Sequence, residues 1–174
     1  GDMGNGWLID YHYSSEIQTK EYRSPEAIVG YKWGCAVDIW SVACLVFELI
    51  TGDVLFSPQS GKSYRKEDDH MAQIMELLGG VPTKLKTKGK YSRKLYRRNG
   101  ELRNIGGLRP WNLYEVFTQK YGVEDGLAQE MTDFLLPMLE IDPALRADAG
   151  GIVNHPWLKD ALGMEDVVVE DRPI

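Results

Sequence analysis

Fifteen consecutive residues, Ala36 to Ile50, constrain this chain more than any other stretch. They read Ala-Val-Asp-Ile-Trp-Ser-Val-Ala-Cys-Leu-Val-Phe-Glu-Leu-Ile and are apolar on almost every side of a helix. Such a helix is buried rather than amphipathic, so other elements must pack around it. Asp38 and Glu48 interrupt the run, which is also too short to span a bilayer. Gly52 follows as a natural helix terminator.

The flanking sequence supplies further helices. Met71, Ile74, Met75 and Leu78 fall on one face and predict a helix over Asp68–Leu78, with acids at its start and Gly79-Gly80 at its end. A short helix is expected over Asn112–Tyr121, with Leu113, Val116 and Phe117 inward. Another is expected over Leu127–Leu139, with Leu127, Met131, Phe134, Leu135 and Met138 inward and Pro137 kinking it or moving its end. Asp142-Pro143 reads as a turn, Gly150–His155 as a last helix, and Pro156-Trp157-Leu158 as its packing. Residues 1–34 read as extended or irregular, 53–66 as loop, and 165–174 as a loose acidic tail. The expected class is mainly α, in one domain, since 174 residues and 43% hydrophobic content suffice for one core.

Charge and cysteine content narrow the function classes. The net charge of −6 argues against general nucleic-acid binding. Residues 84–98 run the other way, with eight Lys or Arg and no acid. With Tyr91 and Tyr96 interleaved, that run admits a nucleic-acid reading. The alternative is a variable insert over 81–110, whose Gly and Pro breaks argue against an ordered platform. Cys35 and Cys44 match no metal or redox spacing and are expected reduced, as in cytoplasm or nucleus. The first residues lack a signal-peptide pattern, and no membrane association is expected.

An ordered set of short motifs is more specific. Asp2-Met3-Gly4 comes first. Thr19, Glu21-Tyr22-Arg23 and Ser24-Pro25-Glu26 follow, then Asp38-Ile39-Trp40-Ser41. Asp142-Pro143, Arg146 and His155-Pro156-Trp157-Leu158 complete it. In order and spacing the set resembles the C-terminal lobe of eukaryotic protein kinases. The segments 2–7, 16–23, 47–53 and 68–79 look like the SR-protein kinases, which phosphorylate serines in Arg-Ser repeats of splicing factors. The likeness runs from Asp2 to about Met164. It implies a kinase C-lobe over 1–164, with residues 1–34 as activation segment and 81–110 as the insert.

The resemblance assigns roles residue by residue. Asp2 takes the place of the Mg²⁺-binding aspartate, which would hold the ATP phosphates; Met3 departs from the usual Phe. Thr19 would bridge the catalytic base and its lysine. Lys20, Arg23 and Lys66 match positions that receive a phosphoserine, although the two lysines also read as solvated charge. Glu26 and Arg146 would form a buried ion pair. Asp38, expected to be buried, would accept N–H groups of the catalytic loop, or cap its own helix. Asp53, Asp69, Glu76 and Lys120 would line a docking groove for an arginine-rich substrate, since carboxylates pair with guanidiniums. An ordinary acidic helix face is the other reading of the three acids.

The 174 residues contain no Gly-rich phosphate loop, ATP-positioning Lys with its Glu, or His-Arg-Asp loop, all of which precede the position of Asp2 in kinases. The chain therefore reads as a kinase fragment that lacks phosphoryl transfer on its own and needs the kinase N-lobe as partner. Surfaces that meet the missing parts are expected to be exposed and to limit solubility. The alternative is a module that only docks Arg-rich peptides.

Overall fold

The computed structural model describes residues 16–159. Among them the regular structure is helical, and the only β feature is an isolated antiparallel bridge between Tyr96 and Leu102. In chain order the helices are α1 (Pro25–Val29), α2 (Ala36–Thr51), α3 (Lys66–Leu78), α4 (Thr83–Lys88), α5 (Ser92–Leu95), α6 (Leu113–Glu115), α7 (Asp125–Leu135) and α8 (Ala149–Val153). The span 16–34, expected to be irregular, holds a 3-10 turn at Lys20–Tyr22 as well as α1.

The core forms on one side of α2. Trp40 stacks on Phe56 from the following loop, with ring centroids 5.8 Å apart. Phe47 meets Phe117 at 5.5 Å and the edge of Tyr121 at 5.8 Å. Cys44 lies in the same core, where burial pushes its thiol up to about 12, so it is an inert packing group. Gly52 ends α2 in the left-handed conformation, φ 78°, and its N–H reaches Glu48 O.

The other side of α2 corrects the expectation of burial all round. Cys35, Asp38, Val42, Leu45 and Leu49 form one exposed stripe, with Leu49 76% exposed. The described elements cover only the opposite face, and an all-apolar helix carries no signal telling one face from the other.

Two helix registers also depart from expectation. α7 begins at Asp125 and turns Ala128, Met131, Thr132 and Leu135 inward, which leaves Leu127 exposed. It ends at Leu135, two residues before Pro137, instead of continuing to Leu139. After Leu113–Glu115 the chain loosens into a π turn, Val116–Lys120, yet Leu113, Val116 and Phe117 are buried as expected. The last helix is shifted to Ala149–Val153, capped by Asp148 Oδ1 on Gly151 N–H at 2.8 Å.

The basic insert is ordered, contrary to expectation. Leu85, Leu95, Tyr96 and Leu102 are buried in the main core. Ser92 Oγ donates to Leu85 O at 2.6 Å and joins α5 to α4. Lys90 N–H reaches Gly30 O at 2.9 Å, and Tyr91 N–H reaches Val29 O at 2.8 Å. Gly30 permits this approach: its φ is 67°, and a Cβ there would lie 2.8 Å from the Tyr91 ring. Lys84 and Asp142, 2.5 Å apart, fasten the insert to the Asp142-Pro143 turn. The glycines and prolines separate short packed pieces; they do not dissolve the segment.

Candidate functional site

Glu26 and Arg146 sit 120 residues apart in sequence and meet in the core with no exposed side-chain surface. The contact is bidentate, Nη1 to Oε1 at 2.7 Å and Nη2 to Oε2 at 2.9 Å. Nη1 also reaches Ala36 O at 2.7 Å, and Nε reaches Glu140 O at 2.8 Å. Arg146 also lies over the Trp40 ring, 5.1 Å from its centroid. Each guanidinium nitrogen thus has an acceptor, the condition under which a buried charge is tolerated.

The segment 16–24 is laced onto α2 by Gln18, Tyr22 and Ser41, none of which the sequence had marked for this lacing. Gln18 is the only non-glycine with positive φ among the described residues, at 64°. Its Nε2 donates to Val37 O at 2.7 Å and Ser41 Oγ at 2.6 Å, and its Oε1 accepts Ser24 N–H at 3.0 Å. These three bonds offset a conformation that costs a non-glycine about 1–2 kcal/mol. Ser41 Oγ donates to Tyr22 O at 2.9 Å, and the Tyr22 hydroxyl donates to Glu48. That bond, with the nearby carboxylate charge, holds the Tyr22 phenol above its ordinary pKa. Only the positive φ of Gln18 is special here, and sequence gives no sign of it at a glutamine.

Thr19 and Lys20 are exposed beside this lacing. Arg23 is spent on the backbone: Nε donates to Ile17 O at 3.0 Å and Nη2 to Gln18 O at 2.9 Å. It borders a cavity of about 450 Å³ together with Arg65 and Lys94, whereas Lys20 and Lys66 are not among its lining residues. The structure therefore does not gather the expected trio Lys20, Arg23 and Lys66 at that cavity. Asp38 is exposed in the first turn of α2, not buried, and among the described residues its carboxylate caps no N–H. The reason is its place on the uncovered stripe. Asp2 and the tail 165–174 lie outside the described residues.

A second cavity, of about 520 Å³, lies between α3 and residues 109–121, and of the three expected acids only Glu76 lines it. Glu76 and Lys120 line it, with Leu55, Trp111 and Tyr121 supplying apolar wall. Asp53 Oδ2 accepts from Lys120 Nζ at 3.1 Å and from the Tyr121 hydroxyl at 2.9 Å. The Tyr121 bond, then Lys120, holds the Asp53 carboxyl below its usual range, and Tyr121 foremost holds Lys120 above its own. Asp69 Oδ2 accepts Gln59 N–H and Gln73 Nε2, both at 2.8 Å, and Gln73 lines the cavity. Glu76 Oε1 accepts Arg109 N–H at 2.8 Å. Loop amides thus hold Asp69 and Glu76, whereas Asp53 is held only by the side chains of Lys120 and Tyr121. Tyr121, Gln73 and Trp111 are the missed members of this site; neutral side chains left no charge pattern to follow.

Among the described residues no three His, Cys, Asp or Glu side chains stand close enough to hold a metal ion, and no helix is long and apolar enough to cross a membrane.

Comparison with known proteins accords with this architecture. The chain is 57% identical over 173 residues to the serine/threonine-protein kinase SKY1 of Saccharomyces cerevisiae, covering 99% of this chain and 23% of that protein. It is 52% identical over 159 residues to protein kinase dsk1 of Schizosaccharomyces pombe, covering 91% of this chain and 29% of that one. It is 46% identical over 157 residues to human SRSF protein kinase 3, covering 90% of this chain and 28% of that one. The chain therefore spans between a quarter and a third of the length of such relatives, or slightly less. The protein kinase domain model matches residues 2–158, and the chain accordingly belongs to the protein kinase family, within which it resembles the SR-protein kinases.

Proposed function

We propose that this chain is the substrate-docking lobe of a serine/threonine kinase that transfers the ATP γ-phosphate to serines in Arg-Ser tracts. One observation carries the reading: Glu76 and Lys120 line one cavity with an apolar wall, Asp69 bonds Gln73 on its rim, and Asp53 pairs with Lys120 in solvent. Guanidinium groups fit such a row because a carboxylate accepts two parallel N–H bonds from one arginine. The apolar wall would take the arginine stems. Gln18, Ser41 and Glu48 would hold the segment 16–24 in the shape that receives the residues beside the target serine. ATP and Mg²⁺ belong to this reading through Asp2 and through elements other than those described; they would supply the phosphoryl group and neutralise its charge. The site of action under this reading is cytoplasm and nucleus.

The 174 residues alone would bind and not catalyse. Titration with an Arg-Ser peptide and its Lys-Ser counterpart tests this. The Arg form should bind more tightly, with affinity falling as salt rises. Equal affinity for the two, or phosphorylation of either by the 174-residue chain, contradicts the reading.

A further inference from the structure

Residues 104–111 form a strap along α3 that borders both cavities. Asn104 lines the cavity of about 450 Å³ at the start of α3, and Arg109, Pro110 and Trp111 line the cavity of about 520 Å³ at its end. At the start, Asn104 Nδ2 donates to Asp68 Oδ1 at 3.1 Å. At the end, Arg109 N–H reaches Glu76 Oε1 at 2.8 Å, and Trp111 N–H reaches Glu76 O at 2.9 Å. Trp111 Nε1 also donates to Gln119 Oε1 at 3.1 Å. The strap therefore supplies part of the wall of the docking cavity and a bond that orients Glu76 in it.

The Asn104 bond satisfies a buried group. Asp68 is 2% exposed and, among the described residues, is in no ion pair. Its Oδ2 takes Arg65 N–H at 2.9 Å and so caps α3. Asn104 supplies the donor for the other oxygen. A buried carboxylate oxygen left without a donor is costly, so this end of the strap is held firmly.

Little slack separates the two ends. Asp68 and Glu76 stand about two turns apart on α3, roughly 12 Å along its axis. The chain from Asn104 to Arg109 reaches about 17 Å at most. Ile105 and Leu108 rest half-buried against the core. Between them, a Cβ on Gly106 or Gly107 would meet nothing within 4 Å, and Gly107 has φ 70°. The glycine pair makes no side-chain contact of its own, so the tied ends set the course of the strap.

We propose that Asn104 is a positioning residue for peptide docking: its bond to Asp68 fixes the strap, and the strap sets Arg109, Trp111 and the Glu76 carboxylate against an arginine-rich peptide. The proposal rests on the function proposed above. Two measurements on the 174-residue chain test it: titration with an Arg-Ser peptide, and hydrogen exchange at the Arg109 and Trp111 amides, which needs no ligand. Asn104→Asp brings two carboxylates together, and should speed exchange at both amides and weaken peptide binding roughly threefold to tenfold. Asn104→Ala should act in the same direction by less, and guards against misfolding of the charged variant. Asp68→Asn with Asn104→Asp keeps an oxygen for Arg65 N–H and restores the bond with donor and acceptor exchanged. This double variant should return both readings to those of the unaltered chain, which a general loss of stability would not do. Exchange unchanged in Asn104→Asp overturns the proposal, as does faster exchange with peptide affinity unchanged, or a double variant no better than Asn104→Asp. Failure of the unaltered chain to bind the Arg-Ser peptide overturns the docking reading itself. Exchange that still follows Asn104 then keeps the strap as a tie on Glu76, and exchange that ignores Asn104 removes both.

Discussion

Two ion pairs in this chain use the same charges to opposite ends. Glu26 and Arg146 have no exposed side-chain surface, and backbone carbonyls take two further guanidinium N–H groups. Asp53 and Lys120 are 57% and 46% exposed, share a hydroxyl with Tyr121, and border an open cavity. In the first, all bonding capacity is turned inward, so the pair holds α1 and the loop before α8 in place. In the second, solvent weakens the attraction and leaves the groups able to exchange partners. Burial separates a structural pair from one poised for binding, and sequence proximity to a motif does not.

The largest expected effect comes from breaking the buried pair. Glu26→Gln strands the Arg146 charge in the core and should destabilise the fold by about 3–5 kcal/mol, read as a lower urea midpoint. An unchanged midpoint would remove the structural role assigned to the pair. Next comes a buried group with no charge partner at all. His70 packs on Phe56, with centroids 5.4 Å apart and Nε2 unbonded, and burial lowers its pKa from 6.5 to about 3. Because the folded value is the lower one, protonation favours unfolding. The stabilisation is complete above pH 6.5 and is lost as pH falls from there toward 3, at up to about 1.4 kcal/mol per pH unit. His70→Leu should flatten the stability profile between pH 6.5 and about 4.5, above the range where carboxylates titrate. A profile that keeps its slope would show that another group carries it. The smallest effect on stability belongs to the exposed pair. Lys120→Met should leave the urea midpoint unchanged while altering affinity for an Arg-Ser peptide, which separates binding from folding at that position. A large shift in midpoint would place Lys120 with the buried pair instead.

Long-range order was readable where residue chemistry is unusual. The pairing of Glu26 with Arg146 was readable through the resemblance to kinases, which joins those two positions. The helical class and α2 followed from apolar spacing. What stayed hidden has physical causes. The exposed stripe from Cys35 to Leu49 depends on which neighbours cover α2, and periodicity is silent when every face is apolar. Leu127 was turned outward by a start at Asp125 that shifts the inward positions to Ala128 and Met131. The insert looked unstructured because α4 and α5 span only six and four residues, fewer than the two turns over which a 3.6-residue repeat can show itself. Asp53, Asp69, Glu76 and Lys120 were named through the resemblance to SR-protein kinases, whereas Gln73, Trp111 and Tyr121 became visible only as partners in space.

The account turns on the proposal that Asp69 and Glu76 recognise arginine. Asp69→Asn with Glu76→Gln keeps side-chain shape and an oxygen to accept the loop amides, and removes both charges. Titration of this double variant with an Arg-Ser peptide should show affinity lost by roughly a hundredfold, from two charge-assisted contacts, with the urea midpoint unchanged. Affinity equal to that of the unaltered chain would contradict the docking groove and leave these acids as an ordinary solvated helix face.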